Sequence, residues 1–459
     1  MSMFEDIPVD VGVIYEGERI RWANAYTELG GPQEAYKFEL VRVRALDGVE
    51  DGKVTIIGQD ILNLEKRSYP FGILIEVAGK EVEEDLEGVF ERHIHEYCNF
   101  VEGLMHINQR YDIHLRLSEK SYNRGFNSFR LLGKVLQRLY KSEIPIIEKI
   151  QITFVTDLEK VEEMWKEAIN VYDARDAKAR GLTDQDVTEF YGCNLCQSFA
   201  PTHSCIITPQ RYANCGAISW FDGRAAAKVD PKGPIFQIEK GECLDEWKGE
   251  YTGANTSLRE NTMGEIIRVW LYTAFGYPHT SCGCFEAVAF YIPEVDGLGI
   301  VHRGFRETTV NGLPFSTMAD STAGGRQIDG FHGISIEYMR SPKFLQVDGG
   351  WTRIVWMPAS VMERIKAFIP KDVVDKIATE NAVTTIDELK VFLEKNEHPV
   401  IERWKTVPAE APAEVDEEVE VAPAAVSLRE VPITTGGYMI ILKEPTIYAK
   451  KAIIRKVGR

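Results

Sequence analysis

Residues 279–286 read HTSCGCFE, which sets two thiols, Cys282 and Cys284, on either side of one glycine. The two lie too close in sequence for an ordinary disulfide, and two sulfurs alone are too few for a zinc site. If both bind one ion, the backbone amide nitrogens of Gly283 and Cys284 fall between them. Deprotonated, those nitrogens close fused chelate rings and complete a planar N2S2 donor set. Nickel(II) or copper(II) prefers that geometry; zinc does not. Glycine suits the middle position because the backbone must fold flat around the ion with no Cβ in the way. The plainer alternative is a turn with two buried or redox-pairing thiols.

Four more cysteines precede it in YGCNLCQSFAPTHSCIITPQRYANCG, spaced Cys193-x2-Cys196-x8-Cys205-x9-Cys215. Four thiolates this close suit zinc or an iron–sulfur cubane, since both take four sulfurs in roughly tetrahedral array. Zinc ribbons usually carry two tight C-x2-C pairs. Here one pair is tight and the other cysteines are spread along loop-like sequence, which is more cluster-like. Zinc and unliganded structural cysteines stay open on spacing alone. The thiolates of Cys282 and Cys284 keep lone pairs for a second metal. A cubane cysteine reaching that metal would join the two groups into one assembly.

Together, GCNLCQSFAPTHSCIITPQR, TSCGCFEA and VDGGWTRIVWMP (347–358) resemble acetyl-CoA synthase, and more narrowly the beta subunits of archaeal acetyl-CoA decarbonylase/synthase complexes. The similarity runs from the first domain to about 400. It implies a [4Fe-4S] cubane on Cys193, Cys196, Cys205 and Cys215, with Cys196 also bridging to a reactive proximal nickel. Cys282 and Cys284 would bridge too, holding a distal nickel with the amides of Gly283 and Cys284. The implied enzyme is an acyltransferase. It joins CO and a methyl group with coenzyme A to give acetyl-CoA, reversibly. The implied partners are the alpha and epsilon subunits of CO dehydrogenase, for CO, and the gamma and delta subunits of a corrinoid iron–sulfur protein, for the methyl group. Phe199, three residues past Cys196, matches an aromatic that lines the proximal nickel in this family; a core aromatic is the other reading. Bacterial members carry an extra N-terminal domain. With the cluster motif starting at 193 there is no room for it, so a shorter archaeal form is expected.

Composition is consistent with this. The chain has 459 residues, 44% hydrophobic and 27% charged, ordinary for globular domains. A formal net charge of −17 argues against a sequence-independent grip on nucleic acid or anionic membrane. No apolar run reaches the roughly 18–20 residues that span a bilayer. MSMFEDIPVD lacks a basic region followed by an apolar core, so a cytoplasmic protein is expected.

The expected fold is α/β, α+β in places, with two mixed domains at 1–157 and 158–400, an acidic linker at 401–428 and a basic tail at 429–459. Strands are expected at 53–58, 72–78, 149–156, 298–302, 333–339 and 352–357. Helical stripes cover 83–105, 128–141 and 259–275, and Thr385 with Glu388 forms a capping box. Residues 408–425 hold six acids and no base among Ala and Pro, a self-repelling spacer. The tail has seven basic residues against two acidic, and its apolar stretch can pair as a short hairpin or dock on a partner subunit.

Other residues carry weaker signals. His203 can donate to a cluster sulfur or simply be a satisfied group nearby. His93, His95 and Cys98 read as core packing, since i and i+2 on a helix face different ways. Cys243 reads as a plain thiol. Arg130, Lys134 and Arg138 line one helix face near Arg124 and Lys141; they read as a coenzyme A phosphate contact or as solvated surface. The loop STAGGRQIDGFHG (321–333) lacks the context of a phosphate loop and reads at most as a neighbour of the site. Two other functions compete: an electron-transfer subunit with a simple cubane, and a zinc-binding scaffold.

Overall fold

A computed structural model describes residues 3–198 and 200–406, and beyond them the strand residues 426–427, 430–435, 438–443 and 446–447. Helices and mixed sheets alternate, as expected. The first sheet runs in the order Lys37–Val43, Phe71–Ala78, Lys149–Val155, Val54–Ile57. Its outer pairs are parallel and its central pair antiparallel. Alternation along these strands serves two faces. Ile73, Ile75, Ile150, Ile152 and Phe154 pack against helices Glu87–Asn99 and Phe129–Glu143. Phe38, Leu40 and Val155 pack against Val161, Ala168 and Tyr172 of helix Leu158–Ala179. That helix follows the expected boundary at 157 in sequence but covers the first sheet in space. A second antiparallel layer holds Ala25–Gly30, His114–Ser118 and Leu104–Ile107.

The later half is built on the sheet Phe331–Ile334, Ala287–Ile292, Gly297–His302, Ile354–Trp356. Along the strand AVAFYI, Ala287 and Ala289 enter one core while Val288, Phe290 and Ile292 enter another. A smaller sheet orders Cys205–Ile207, Glu189–Cys193 and Ile235–Glu239. Residues 1–404 form one compact unit.

Three expected elements differ in extent. The stripe over 83–105 is α-helical only from Glu87 to Asn99, after a 3-10 turn at Glu84–Leu86. Asn99 then turns its side chain onto the backbone of His106, accepting from its N–H at 2.8 Å and donating to its C=O at 3.0 Å, so Met105 lies in a strand. The helix expected over 259–275 is instead Thr252–Asn261. It stops where Thr262 Oγ1 accepts from Ile266 N at 3.0 Å and Met263 takes φ +56°. Past Ile334 the chain forms a short helix, Ile336–Met339, capped by Ser335. The capping box of Thr385 and Glu388 is present.

Residues Ile401–Thr406, expected to open the linker, are helical instead, with Trp404 Nε1 donating to Val295 O and Arg403 paired with Asp296 at 2.7 Å. Residues 407–425 lie outside the described residues. In the tail, Glu430–Thr435 and Tyr438–Lys443 pair antiparallel, the hairpin that the sequence allowed.

Helix Glu87–Asn99 is pressed against the later half. A Cβ on Gly88 would lie 2.4 Å from Ala217 O and 2.5 Å from Asp222 Oδ1. We expect Gly88→Ala to destabilise the protein by roughly 1–3 kcal/mol through overpacking. Thermal unfolding of the metal-free protein checks this.

Candidate metal centre

The two strands Glu189–Cys193 and Cys205–Ile207 are antiparallel neighbours, and their register puts Cys193 directly opposite Cys205. Directly opposed residues have Cβ atoms roughly 4.5–5.5 Å apart, so these thiols face one place. Between them the chain loops out through Cys196, whose carbonyl accepts from Ala200 N at 3.0 Å. Cys215 follows, buried in the same core as Cys193 and Cys205.

The second group arrives from the irregular segment before the Ala287–Ile292 strand. The sulfurs of Cys196, Cys282 and Cys284 all lie within 4.8 Å of one another. Gly283 sits at φ +140°, a conformation that residues with a Cβ rarely adopt. The Cys284 amide donates to Cys282 Sγ at 3.1 Å, so this backbone nitrogen already faces the neighbouring sulfur. The flanking carbonyls are held as well. Cys282 O accepts from Gly324 N at 3.1 Å, and Gly283 O accepts from Arg303 Nη2. Gly324 and Gly325 belong to the 321–333 loop, which thus lies beside the site.

The electrostatics are one-sided. Arg92 and Arg211 are 1% and 0% exposed, yet among the described residues neither forms an ion pair with a carboxylate. Arg92 Nη2 lies 3.4 Å from Cys196 Sγ and 3.8 Å from Cys284 Sγ. Arg211 Nη2 meets only neutral partners, Asn214 Oδ1 at 3.0 Å and His332 Nε2 at 3.1 Å, and burial holds His332 down to about 3. A buried cation is costly unless an anion answers it.

The thiols respond accordingly. Burial pushes Cys205 up to about 12 and Cys215 up to about 11. Hydrogen bonds with Cys196 and Cys284 drive Cys282 well up. The same sulfur contacts, from Cys196 and Cys282, pull Cys284 well down, with help from Arg92 and Arg303. Metal ligation requires thiolates and releases these protons. Six sulfurs around two unanswered guanidiniums therefore fit an anionic metal–thiolate assembly. Cys196, Cys282 and Cys284 are close enough to hold one ion; Cys193, Cys205 and Cys215 stand further out, as the corners of a larger cluster would.

Histidines complete the surroundings. His203 Nε2 lies 3.1 Å from Cys205 Sγ, and burial holds this ring neutral, at about 4. His95 corrects the sequence reading. His93 pairs with Glu96 at 2.8 Å and Cys98 is core, but His95 turns to the site, with Nε2 3.8 Å from Cys284 Sγ. Its Nδ1 meets His106 Nδ1 at 2.9 Å, and His106 Nε2 meets the buried Glu39 at 2.8 Å. Arg92, His95, His106 and Arg303 were all missed. The one available signal was the i, i+3 spacing of Arg92 and His95, which shares a helix face.

A cavity of about 570 Å³ opens over Cys215, Cys282 and Cys284, with His95, Arg303 and Arg364 among its walls. Arg130, Lys134 and Arg138 do not line it. Arg138 pairs with Asp6, Lys134 lies 3.6 Å from the same carboxylate, and Arg130 is exposed. Phe199 lies outside the described residues, and Cys243 is exposed and free.

Comparison with known proteins places the chain in a family. A family profile described as CO dehydrogenase/acetyl-CoA synthase complex beta subunit matches residues 7–161. Another, for the C-terminal part of the ACS/CODH beta subunit, matches 172–406. The acetyl-CoA decarbonylase/synthase complex subunit beta of Methanothermobacter thermautotrophicus is 53% identical, covering 99% of this chain and 100% of its own length. The chain belongs to this family. The beta subunit of Methanopyrus kandleri is 51% identical over 100% of this chain and 99% of its own, and subunit beta 2 of Methanocaldococcus jannaschii is 52% identical over 99% and 98%.

The turn at Gly283 uses a conformation that disfavours a Cβ. Forcing one into it costs roughly 1–3 kcal/mol, so, if this turn chelates a metal ion, Gly283→Ala is expected to weaken uptake of that ion about ten- to hundredfold. Competition with a graded chelator measures it, and iron content should not change.

Proposed function

We propose that this chain makes and cleaves acetyl-CoA at a nickel–iron–sulfur centre. The observation that carries the reading is the convergence of Cys196 with Cys282 and Cys284, three sulfurs from two distant motifs within 4.8 Å of one another. Cys193, Cys196, Cys205 and Cys215 would hold a [4Fe-4S] cubane. Cys282, Cys284 and the amides of Gly283 and Cys284 would hold one nickel, and Cys196, Cys282 and Cys284 together a second. When bound, the centre supplies an open position on a soft, thiolate-ligated metal, where CO and a methyl group can be joined and passed as an acyl group to a thiol.

The protein's own groups provide the setting. Burial and then the charge of Arg92 hold His95 well below the usual range, so the ring adds no positive charge beside the sulfurs. Arg303 fixes the Gly283 carbonyl and, with Arg364, adds positive charge to the cavity wall. Neither arginine has a carboxylate ion pair among the described residues, so these two could meet the phosphates of coenzyme A in a wall that also carries Glu16, Asp112, Glu286 and Asp320. Coenzyme A would enter by the cavity.

CO would come from the alpha and epsilon subunits of a CO dehydrogenase, and the methyl group from the gamma and delta subunits of a corrinoid iron–sulfur protein. Support for partner subunits comes from the relatives, each named as part of a complex. No helix among the described residues is long and apolar enough to cross a membrane, in keeping with work in the cytoplasm. A simple electron carrier would leave Cys282 and Cys284 without a task, although they converge on Cys196; a zinc scaffold would use the thiols but not the backbone amides between them.

Elemental analysis of anaerobically purified protein tests the proposal, paired with exchange of label between CO and acetyl-CoA. Nickel and iron together, with exchange, are expected. Cys282→Ser and Cys284→Ser should lower exchange by about 100-fold or more, the scale of losing a bond made to the reacting centre. Iron alone or zinc alone after nickel reconstitution would overturn it.

A further inference from the structure

Arg92 stands where the two cysteine groups meet, yet it belongs to neither. It projects from helix Glu87–Asn99, in the half of the chain that contains none of the six clustered thiols. A single nitrogen, Nη2, reaches two sulfurs, Cys196 Sγ at 3.4 Å and Cys284 Sγ at 3.8 Å. The other, Nη1, is buried with no hydrogen-bond partner among the described residues. One turn earlier, Gly88 packs closely against Ala217 and Asp222, with no space for a Cβ, which seats the helix on the later half. His95, one turn on, approaches the same Cys284 sulfur at 3.8 Å.

The geometry points to Arg92 as a positioning residue that clamps two of the three bridging thiolates, Cys196 and Cys284, together, so that nickel retention depends on it far more than the cubane does. The inference rests on the functional reading above. Three negatively charged sulfurs drawn to one ion repel each other, and a guanidinium between two of them offsets that repulsion without competing as a ligand. Nη2 carries two N–H bonds held in the guanidinium plane, so it meets both sulfurs in fixed directions, which a freely rotating ammonium does less well. The effect is selective by position. Cys193, Cys205 and Cys215 would hold three corners of the cubane and have no hydrogen bond to Arg92, although its charge reaches Cys215, whereas Cys196, the fourth corner, and Cys284 are two of the three sulfurs that would grip the nickel.

The test is anaerobic reconstitution of the full chain with iron, sulfide and nickel, followed by metal analysis and cubane absorbance, for wild type, Arg92→Met and Arg92→Lys. The expected result is iron and cubane absorbance at the wild-type level in all three. Nickel should fall several-fold in Arg92→Met and recover in part in Arg92→Lys. Full nickel in Arg92→Met would overturn the inference. So would parallel loss of iron and nickel in both variants, which would mean that Arg92 only supports the fold. A wild-type protein that takes up iron but no nickel would instead overturn the functional reading, and this inference with it.

Discussion

The structure depends on burying thiols beside guanidiniums rather than beside carboxylates. Arg92 and Arg211 are almost wholly removed from water, and among the described residues their neighbours are sulfurs, amides, carbonyls and a neutral imidazole. Such an arrangement is costly in a metal-free protein, because neither the cations nor the partly ionised thiols are fully compensated. It becomes favourable once several thiolates share metal ions, and folding and metal binding are then linked. The same logic explains why the site is assembled from remote pieces. A sheet edge presents Cys193 and Cys205, an irregular loop presents Cys282 and Cys284, and a helix from the first half closes the sulfur face with Arg92.

Rigid elements position the flexible chemistry. The Cys-Gly-Cys turn precedes the Ala287–Ile292 strand, which is flanked on both sides within its sheet and buried by two hydrophobic cores. The turn itself is tied by Gly324 and by Arg303, whose guanidinium also lies over Phe285 and Phe315. If this peptide unit folds flat around an ion, as proposed, it is shaped before the ion arrives, which lowers the conformational cost of binding.

Local pattern made much of this legible in advance. The β-branched runs at 72–78 and 149–156 are strands because alternation serves cores on both faces, and spacing alone marked the six cysteines as a constellation. What stayed hidden was set by contacts across the chain. The segment after Asn261 has apolar residues at helical spacing, but Thr262 and the left-handed Met263 end the helix. The stripe over 83–105 marked the helix but not its end, which Asn99 sets by bonding to His106. Arg92 and His95 looked like ordinary residues of an amphipathic helix. Only the packing of Gly88 on the later half brings their face against Cys196 and Cys284. The basic face of Arg130, Lys134 and Arg138 shows the converse, a regular pattern whose charges meet Asp6 instead of lining the cavity.

X-ray absorption at the nickel edge of the anaerobically purified protein tests the central claim most directly, because it reads the donor atoms around the ion. If Cys282, Gly283 and Cys284 chelate through sulfur and backbone nitrogen, the spectrum will show a square-planar component with both nitrogen and sulfur neighbours. A tetrahedral environment of sulfur alone would contradict the account.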